Sequence, residues 1–482
     1  MTADSPLPAD GWVLFVKADC PTCRLIEPVI HRLQAGPEAL MVCSQDDPAF
    51  PGGDGVVDDR SLELSYRQKI EVVPTLLRMS GGREEQRIFG WDRQQWREFT
   101  GNGDLGEDLP PFKPGCGAKN VDPGMEDILT LRFGDSGLRA RQITPAEEED
   151  LTEACYDRGW TDGLPVVPPT PLRVYRMLQG THRAADEVLG KVPPDLATCT
   201  VEKVAINAVM AGCRPEYMPL VLAAVEAALD DAFCMHGLLC TTYFSAPVVV
   251  VNGPMAARVG MNSGLNALGQ GNRANATIGR ALQLLIRNLG GGRPGEVDRA
   301  TLGTPGKYTF CFAEDERDES WPTLAMDRGL QREQSAVTLF AGDGIQPVMD
   351  QQSRDPASLA GSFARSLQTV AHAKLAFHAD AMLVVSPEHR RVFREAGWDK
   401  EHLREELIRL TTTDGKDLVR GAGGIAEGMP APFKDHKLPK FRPGGLHILT
   451  AGGDAGMFSA IIGGWVASGP MGSEMVTKEV ES

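Results

Sequence analysis

Apolar residues cluster along this chain in two alternating rhythms. Trp12-Val13-Leu14-Phe15-Val16 is an unbroken apolar run of strand length, and over 24–33 the apolar positions then recur at helical spacing. Beyond a glycine- and proline-rich stretch the same alternation resumes. A helix is expected over 145–158, with Thr144 as its cap and Pro145 in its first turn. Residues 161–170 read as rigid extended chain, because each proline biases its predecessor away from helix. Helices are expected over 201–210, capped by Thr200, and from Pro215 to 229. A buried strand over 246–251 precedes a long helix over 274–288, which stops at Gly290-Gly291-Gly292. Strands at 308–312, 336–340, 381–385 and 446–449 alternate with helices at 359–377 and 401–410. The pattern predicts an α/β fold with a mixed or parallel sheet and covering helices. It shows no internal repeat and no low-complexity tract.

At 482 residues the chain exceeds one ordinary domain. Its punctuation divides it into a domain over 1–105, a linker over 106–125 and a larger unit over 126–482, with a second break placed near 330–350. A hydrophobic content of 42% and a charged content of 24% describe a soluble globular protein. The net charge of −16, with no basic run to offset it, argues against a nucleic-acid partner. Residues 1–6 lack the basic and apolar blocks of a secretory signal. The nearest approach to a membrane span, 457–467, is interrupted by glycines. A cytoplasmic protein with no membrane partner is the expectation. Ten cysteines are too few for a disulfide scaffold at this length, so most should be buried, inert thiols.

Two of the ten stand apart. Cys20-Pro21-Thr22-Cys23 lies between the first apolar run and the first helical pattern. A thiol that opens a helix meets free backbone N–H groups and the positive dipole end, so Cys20 can ionise near neutral pH and attack a disulfide, with Cys23 resolving the mixed species. About fifty residues on comes Val73-Pro74-Thr75, then Ser80-Gly81-Gly82-Arg83, Phe89-Gly90 and a last helical segment near 92–99. With these motifs, residues of about 10–105 resemble a thioredoxin-fold domain. The resemblance implies that Cys20 and Cys23 form a redox pair and that Pro74 follows a cis peptide bond facing it. The loop departs from thioredoxin itself: Asp19 replaces the usual tryptophan, and Pro-Thr replaces Gly-Pro between the cysteines. Because that dipeptide tunes redox potential, oxidant, reductant and isomerase roles all stay open. In the larger unit, Gly159-Trp160-Thr161-Asp162-Gly163-Leu164-Pro165 and 271–280 resemble a bacterial group associated with UGSC-type (seleno)proteins, suspected thiol or selenol oxidoreductases. This chain has neither selenocysteine nor Cys-Gly-Ser-Cys, so no catalytic residue carries over.

Several other residue groups are candidates. Cys116, flanked by Gly115 and Gly117 in the linker, suits a relay between domains. Cys213, beside Arg214 and two residues before Pro215, is the expected thiolate of the larger unit. His236, between Cys234 and Cys240, is a candidate acid or base near that thiolate; the spacing matches no zinc module and no metal is assigned. The glycine- and asparagine-rich loop over 260–275 carries Asn262, Asn266, Asn272 and Asn275, with Arg273 and Arg280 close by. At a helix start it is the expected anion or substrate site. It is neither a P-loop nor a dinucleotide fingerprint, and no motif assigns a cofactor. Asp454, in the glycine-rich loop after 446–449, is expected at the same pocket. Ser459 lacks the nucleophile-elbow spacing.

The expected activity is that of a thiol-disulfide oxidoreductase module with a redox-active CxxC. It is fused to a thiol-dependent reductase or lyase domain acting on a small anionic or carbonyl substrate. Its partner would be a cellular thiol reductant or a (seleno)protein, and self-association into a homo-oligomer stays open. The alternatives are a hydrolase or lyase whose thioredoxin fold only docks, and a non-catalytic partner subunit.

Overall fold

β1 (Gly11–Val16) forms where apolar residues run without a polar break, and it becomes the middle strand of a five-stranded sheet. The structure is a computed structural model describing residues 7–465 and 472–481. After β1 come α1 (Pro21–Leu25) and α2 (Glu27–Gln34), separated at Ile26, where Pro28 lacks the N–H needed to continue the hydrogen-bond ladder. β2 (Leu40–Ser44) and β3 (Val56–Asp58) extend the sheet in parallel on one side of β1. The chain continues through α3 (Glu63–Arg67) and β4 (Val72–Val73) to β5 (Thr75–Ser80) and β6 (Arg83–Phe89). These last two strands add antiparallel on the other side, giving the order β3-β2-β1-β5-β6. β7 (Trp91–Asp92) leads into α4 (Arg93–Thr100), whose first turn is capped by the Asp92 carboxylate.

The glycine- and proline-rich stretch read as a linker is part of this first unit. β8 (Phe112–Lys113) pairs with β7, β9 (Cys116–Gly117) pairs with β4, and α5 (Met125–Phe133) follows. The unit accordingly ends at Ser136 and not near 105. Gly115 makes the packing possible: a Cβ there would lie 2.3 Å from Val72 Cγ1 and 2.8 Å from the Val73 carbonyl oxygen. Low periodicity here marks a strap laid along a strand, with side chains omitted to let the backbones approach.

The second unit runs from Gly137 to Ser482. α6 (Leu151–Asp157) starts later than the hydropathy pattern implies, because Asp150 and not Thr144 supplies the cap, accepting from Thr152 and Glu153 N–H. α7 (Pro171–Leu178), the antiparallel pair β10 (Val188–Val192) and β11 (Ala197–Thr200), and α8 (Val201–Ala211) come next, α8 with Thr200 as its cap. α9 (Met218–Leu229), α10 (Met235–Cys240), β12 (Ala246–Asn252), α11 (Pro254–Arg258) and α12 (Arg273–Asn288) follow. The chain then passes through β13 (Cys311–Ala313), α13 (Leu324–Asp327), β14 (Ala336–Met349), α14 (Pro356–Leu367) and β15 (Ala379–Val385). α15 (Pro387–Glu395), α16 (Lys400–Thr411), the short pair β16 (Thr413–Asp414) and β17 (Lys437–Leu438), β18 (Phe441–Thr450), β19 (Phe458–Gly464) and β20 (Val476–Glu479) complete it. α14 ends ten residues before the expected stop at 377, where Thr369 and Val370 are β-branched and Ala371 adopts φ 58°.

The main sheet is mixed, in the order β13-β12-β14-β19-β15-β18, with β20 against β14. β12–β13 and β15–β18 are parallel; the other ladders are antiparallel. The break expected near 330–350 is instead the long strand β14. Its first half pairs with β12 and β20 and its second half with β19, so it ties the sheet together. β12 is apolar on both faces because both are covered: Val249 and Val251 pack with residues of α8, α9 and α12, while Val248 and Val250 pack with Phe340, Met382 and Ile462. Among the described residues no helix is long and apolar enough to cross a membrane. Residues 1–6 and positions 466–467 of the near-span lie outside the described residues.

Candidate active site

Three sulfur atoms meet in the first unit. The Asp46 carboxylate accepts from the Ala18 and Asp19 N–H groups at 2.7 and 3.0 Å, fixing the turn that carries the chain out of β1. Cys20 then stands at the N-cap of α1 in extended conformation, and its Sγ accepts from the Cys23 N–H at 3.4 Å. The Val73–Pro74 bond is cis, as the resemblance implied, and the Val73 carbonyl oxygen lies 3.6 Å from Cys20 Sγ. β9 pairs Cys116 with Val73, which brings Cys116 Sγ to 2.9 Å from Cys20 Sγ. Two further contacts hold the strap over the loop: Thr22 Oγ1 donates to the Pro114 carbonyl at 2.6 Å, and Lys113 Nζ donates to the Pro21 carbonyl at 3.4 Å.

This arrangement makes the three thiols unequal. The Cys20 thiol is held down to about 5, chiefly because the Cys23 thiol donates to its sulfur. Burial opposes that shift; donation from Cys116 and the N–H groups of Cys23 and Thr22 reinforce it. Cys23 moves the other way, pushed up by burial and then by the adjacent Cys20 sulfur. Cys116 is also raised, by burial first and by its bond to Cys20 second. The cluster therefore holds one thiolate flanked by two protonated thiols. Cys20 and Cys23 are fully buried, whereas Cys116 keeps part of its surface in solvent. None of the ten cysteines is joined in a disulfide, and among the described residues no group of His, Cys, Asp and Glu is arranged to hold a metal ion.

The residues expected to act in the second unit take structural places. Cys213 lies buried between α8 and Pro215, donates to the Thr277 carbonyl at 3.3 Å, and is pushed up to about 12 by burial. Its neighbour Arg214 pairs with Glu216 instead, at 3.6 Å. His236 is exposed on α10, whereas Cys213 is buried in the core. The asparagine loop binds itself. Asn262 donates to the Leu265 carbonyl at 2.9 Å, Asn266 to Gln270 at 2.7 Å and Asn272 to Gly260 at 2.8 Å. Asn272 also caps α12 through the Asn275 N–H, and buried Asn275 donates to the Asn262 and Ala267 carbonyls. Arg273 closes on the Gly212 carbonyl at the end of α8 at 3.0 Å. Arg280 makes a two-pronged pair with Asp162, both bonds 2.8 Å, and Asp454 pairs with Arg317 at 2.9 Å. The polar side chains that promised an anion site are consumed in turn and helix-end contacts.

One cluster escaped the sequence reading. Ser459, at the start of β19, lies 2.8 Å from His389 Nδ1, and His389 Nε2 lies 3.0 Å from the Asp350 carbonyl oxygen. A carbonyl only accepts, so Nε2 carries the proton and Nδ1 accepts from the Ser459 hydroxyl. Burial holds His389 below its ordinary value, in keeping with a neutral ring. The 70 residues between the partners hide this pair from any local motif. No protein-family model matches this chain, and no curated protein matches it.

Proposed function

We propose that the first unit is a thioredoxin-like thiol-disulfide exchange module in which Cys20 is the nucleophile and both Cys23 and Cys116 can resolve it. The observation that carries this reading is the 2.9 Å approach of Cys116 Sγ to the low-pKa Cys20 sulfur. In the reaction the Cys20 thiolate attacks one sulfur of a partner disulfide. A Cys20–partner bond forms and the partner's other sulfur leaves as thiolate. Cys23 or Cys116, once deprotonated, then attacks Cys20 Sγ and releases the second partner sulfur. The two-electron balance leaves one internal disulfide in place of the partner's. Cys20 has no exposed surface, so the strap bearing Cys116 must shift to admit a bulky partner; an exchange handed on through Cys116 needs no such movement. Support for the fold comes from the mixed sheet, the cis Val73–Pro74 bond and the position of Cys20 at a helix start. A cellular thiol reductant or (seleno)protein in a reducing cytoplasm fits this chemistry, with the second unit acting on a small molecule. The test is exposure of the Cys23→Ser/Cys116→Ser variant to oxidised glutathione. A stable glutathione adduct at Cys20 is expected, and adduct formation elsewhere in preference to Cys20 contradicts the assignment.

A hydrolytic activity of the second unit is favoured by one observation, the Ser459–His389 pair. It adjoins a cavity of about 380 Å³ lined by Ser459, Ser386, Gly452 and Gly453 at the carboxyl ends of β15 and β18. A fluorophosphonate should then label Ser459 in the wild type and fail to label it in His389→Ala. Absence of wild-type labelling removes this reading.

A further inference from the structure

We infer that the second unit holds a binding site for a small carboxylate with an apolar body, in the cavity between α10, α12 and the start of β12. The cavity measures about 450 Å³, and Leu238, Leu239 and Ile286 give it an apolar wall. Two of its lining residues carry a buried polar atom without a hydrogen-bond partner among the described residues. Ser245 is 1% exposed, yet its hydroxyl makes no hydrogen bond. Arg287, in the last turn of α12, has a buried Nε that likewise meets no acceptor. A buried donor left unpaired is costly, and native structures rarely keep one unless water or a ligand satisfies it.

The charges around the cavity decide which ligand fits. Its two carboxylates are already neutralised: Asp162 is held by Arg280 through two bonds of 2.8 Å, and Asp298 by Lys307 through two bonds of 2.7 Å. Arg287 is the cation left over, so the site carries about one positive charge and two donors but no competing acid. A guanidinium fork and a hydroxyl together match a carboxylate, and the apolar wall matches a hydrocarbon or aromatic body. This site is distinct from the asparagine loop, whose side chains bind their own backbone. It also stands independently of the thiol chemistry of the first unit.

The probe is para-fluorobenzoate, with para-fluorobenzamide as its uncharged counterpart, each followed by fluorine NMR on the full chain. The acid should bind the wild type and the amide bind at least tenfold more weakly. Arg287→Ala should weaken the acid by about tenfold or more, the scale of one lost charge-assisted hydrogen bond, and Arg287→Lys should recover part of it. Ser245→Ala supplies a readout that a structural role would not give. Removing an unpaired buried hydroxyl should leave the melting temperature unchanged or higher while acid binding falls several-fold. No acid binding by the wild type overturns the inference, as do equal binding of acid and amide and unchanged affinity in Arg287→Ala. If Arg287→Ala does not fold, Ser245→Ala decides alone: undiminished acid binding overturns the inference.

Discussion

At the scale of single residues, Cys20 shows how position sets chemistry. The same side chain is pushed up at Cys43, Cys199 and Cys311, where burial dominates. At Cys20 the donors around the sulfur outweigh burial. Ultraviolet thiolate absorbance of the reduced protein should accordingly titrate near pH 5, and Cys116→Ala, which deletes one donor, should move that inflection upward. The linkage has a definite sign. A thiol whose folded pKa is depressed from 9.0 to about 5 contributes stability that is fully present above about 9 and lost as pH falls through about 5. The difference in unfolding free energy between reduced wild type and Cys20→Ala should therefore shrink on acidification through that window. The helix-start position of Cys20 was legible in the sequence from the apolar runs on either side of it, and the cis bond before Pro74 from the thioredoxin resemblance. Arg280 was not, since its partner Asp162 lies 118 residues away and nothing in the local pattern announces it.

At the scale of elements, the strap over 106–117 is the part that sequence reading places least well. Glycine and proline there indicate missing periodicity, which a free linker and a packed strap share. The distinction lies in what the missing side chain would touch, and at Gly115 that is Val72 and the Val73 carbonyl. Gly115→Ala should force β9 off β4, lower stability by about 1–3 kcal/mol through overpacking, and separate Cys116 from Cys20. Thermal unfolding together with the yield of the Cys20–Cys116 crosslink would check both effects. The asparagine loop gives the converse case. Its composition suits a ligand cradle and a self-bonded turn equally, and three-dimensional closure selects the turn. Asn275→Ala should cost about 1–3 kcal/mol by stranding buried carbonyls, and added phosphate should stabilise wild type and variant alike. A phosphate-dependent stabilisation lost in the variant would return the loop to ligand binding.

At the scale of the whole molecule, the chain joins a five-stranded unit to a larger mixed-sheet unit, and the α/β class was readable from the alternation of apolar rhythms. Strand order was not, because a run such as β14 looks like one short strand until its two halves find β12 and β19. In the proposed function the thiol chemistry belongs to the first unit, and Cys213 in the second is a core residue. Cys213→Ala should thus leave exchange with oxidised glutathione unchanged within about twofold, the range of a substitution outside the reacting group. The central claim is that Cys116 is a working partner of Cys20. Its most direct test is mass mapping of the Cys23→Ser variant after mild oxidation. The expected product is an intramolecular Cys20–Cys116 disulfide, formed at low protein concentration and lost in Cys116→Ser. A variant that keeps Cys20 and Cys116 as free thiols, or couples Cys20 only to another molecule, would contradict the account.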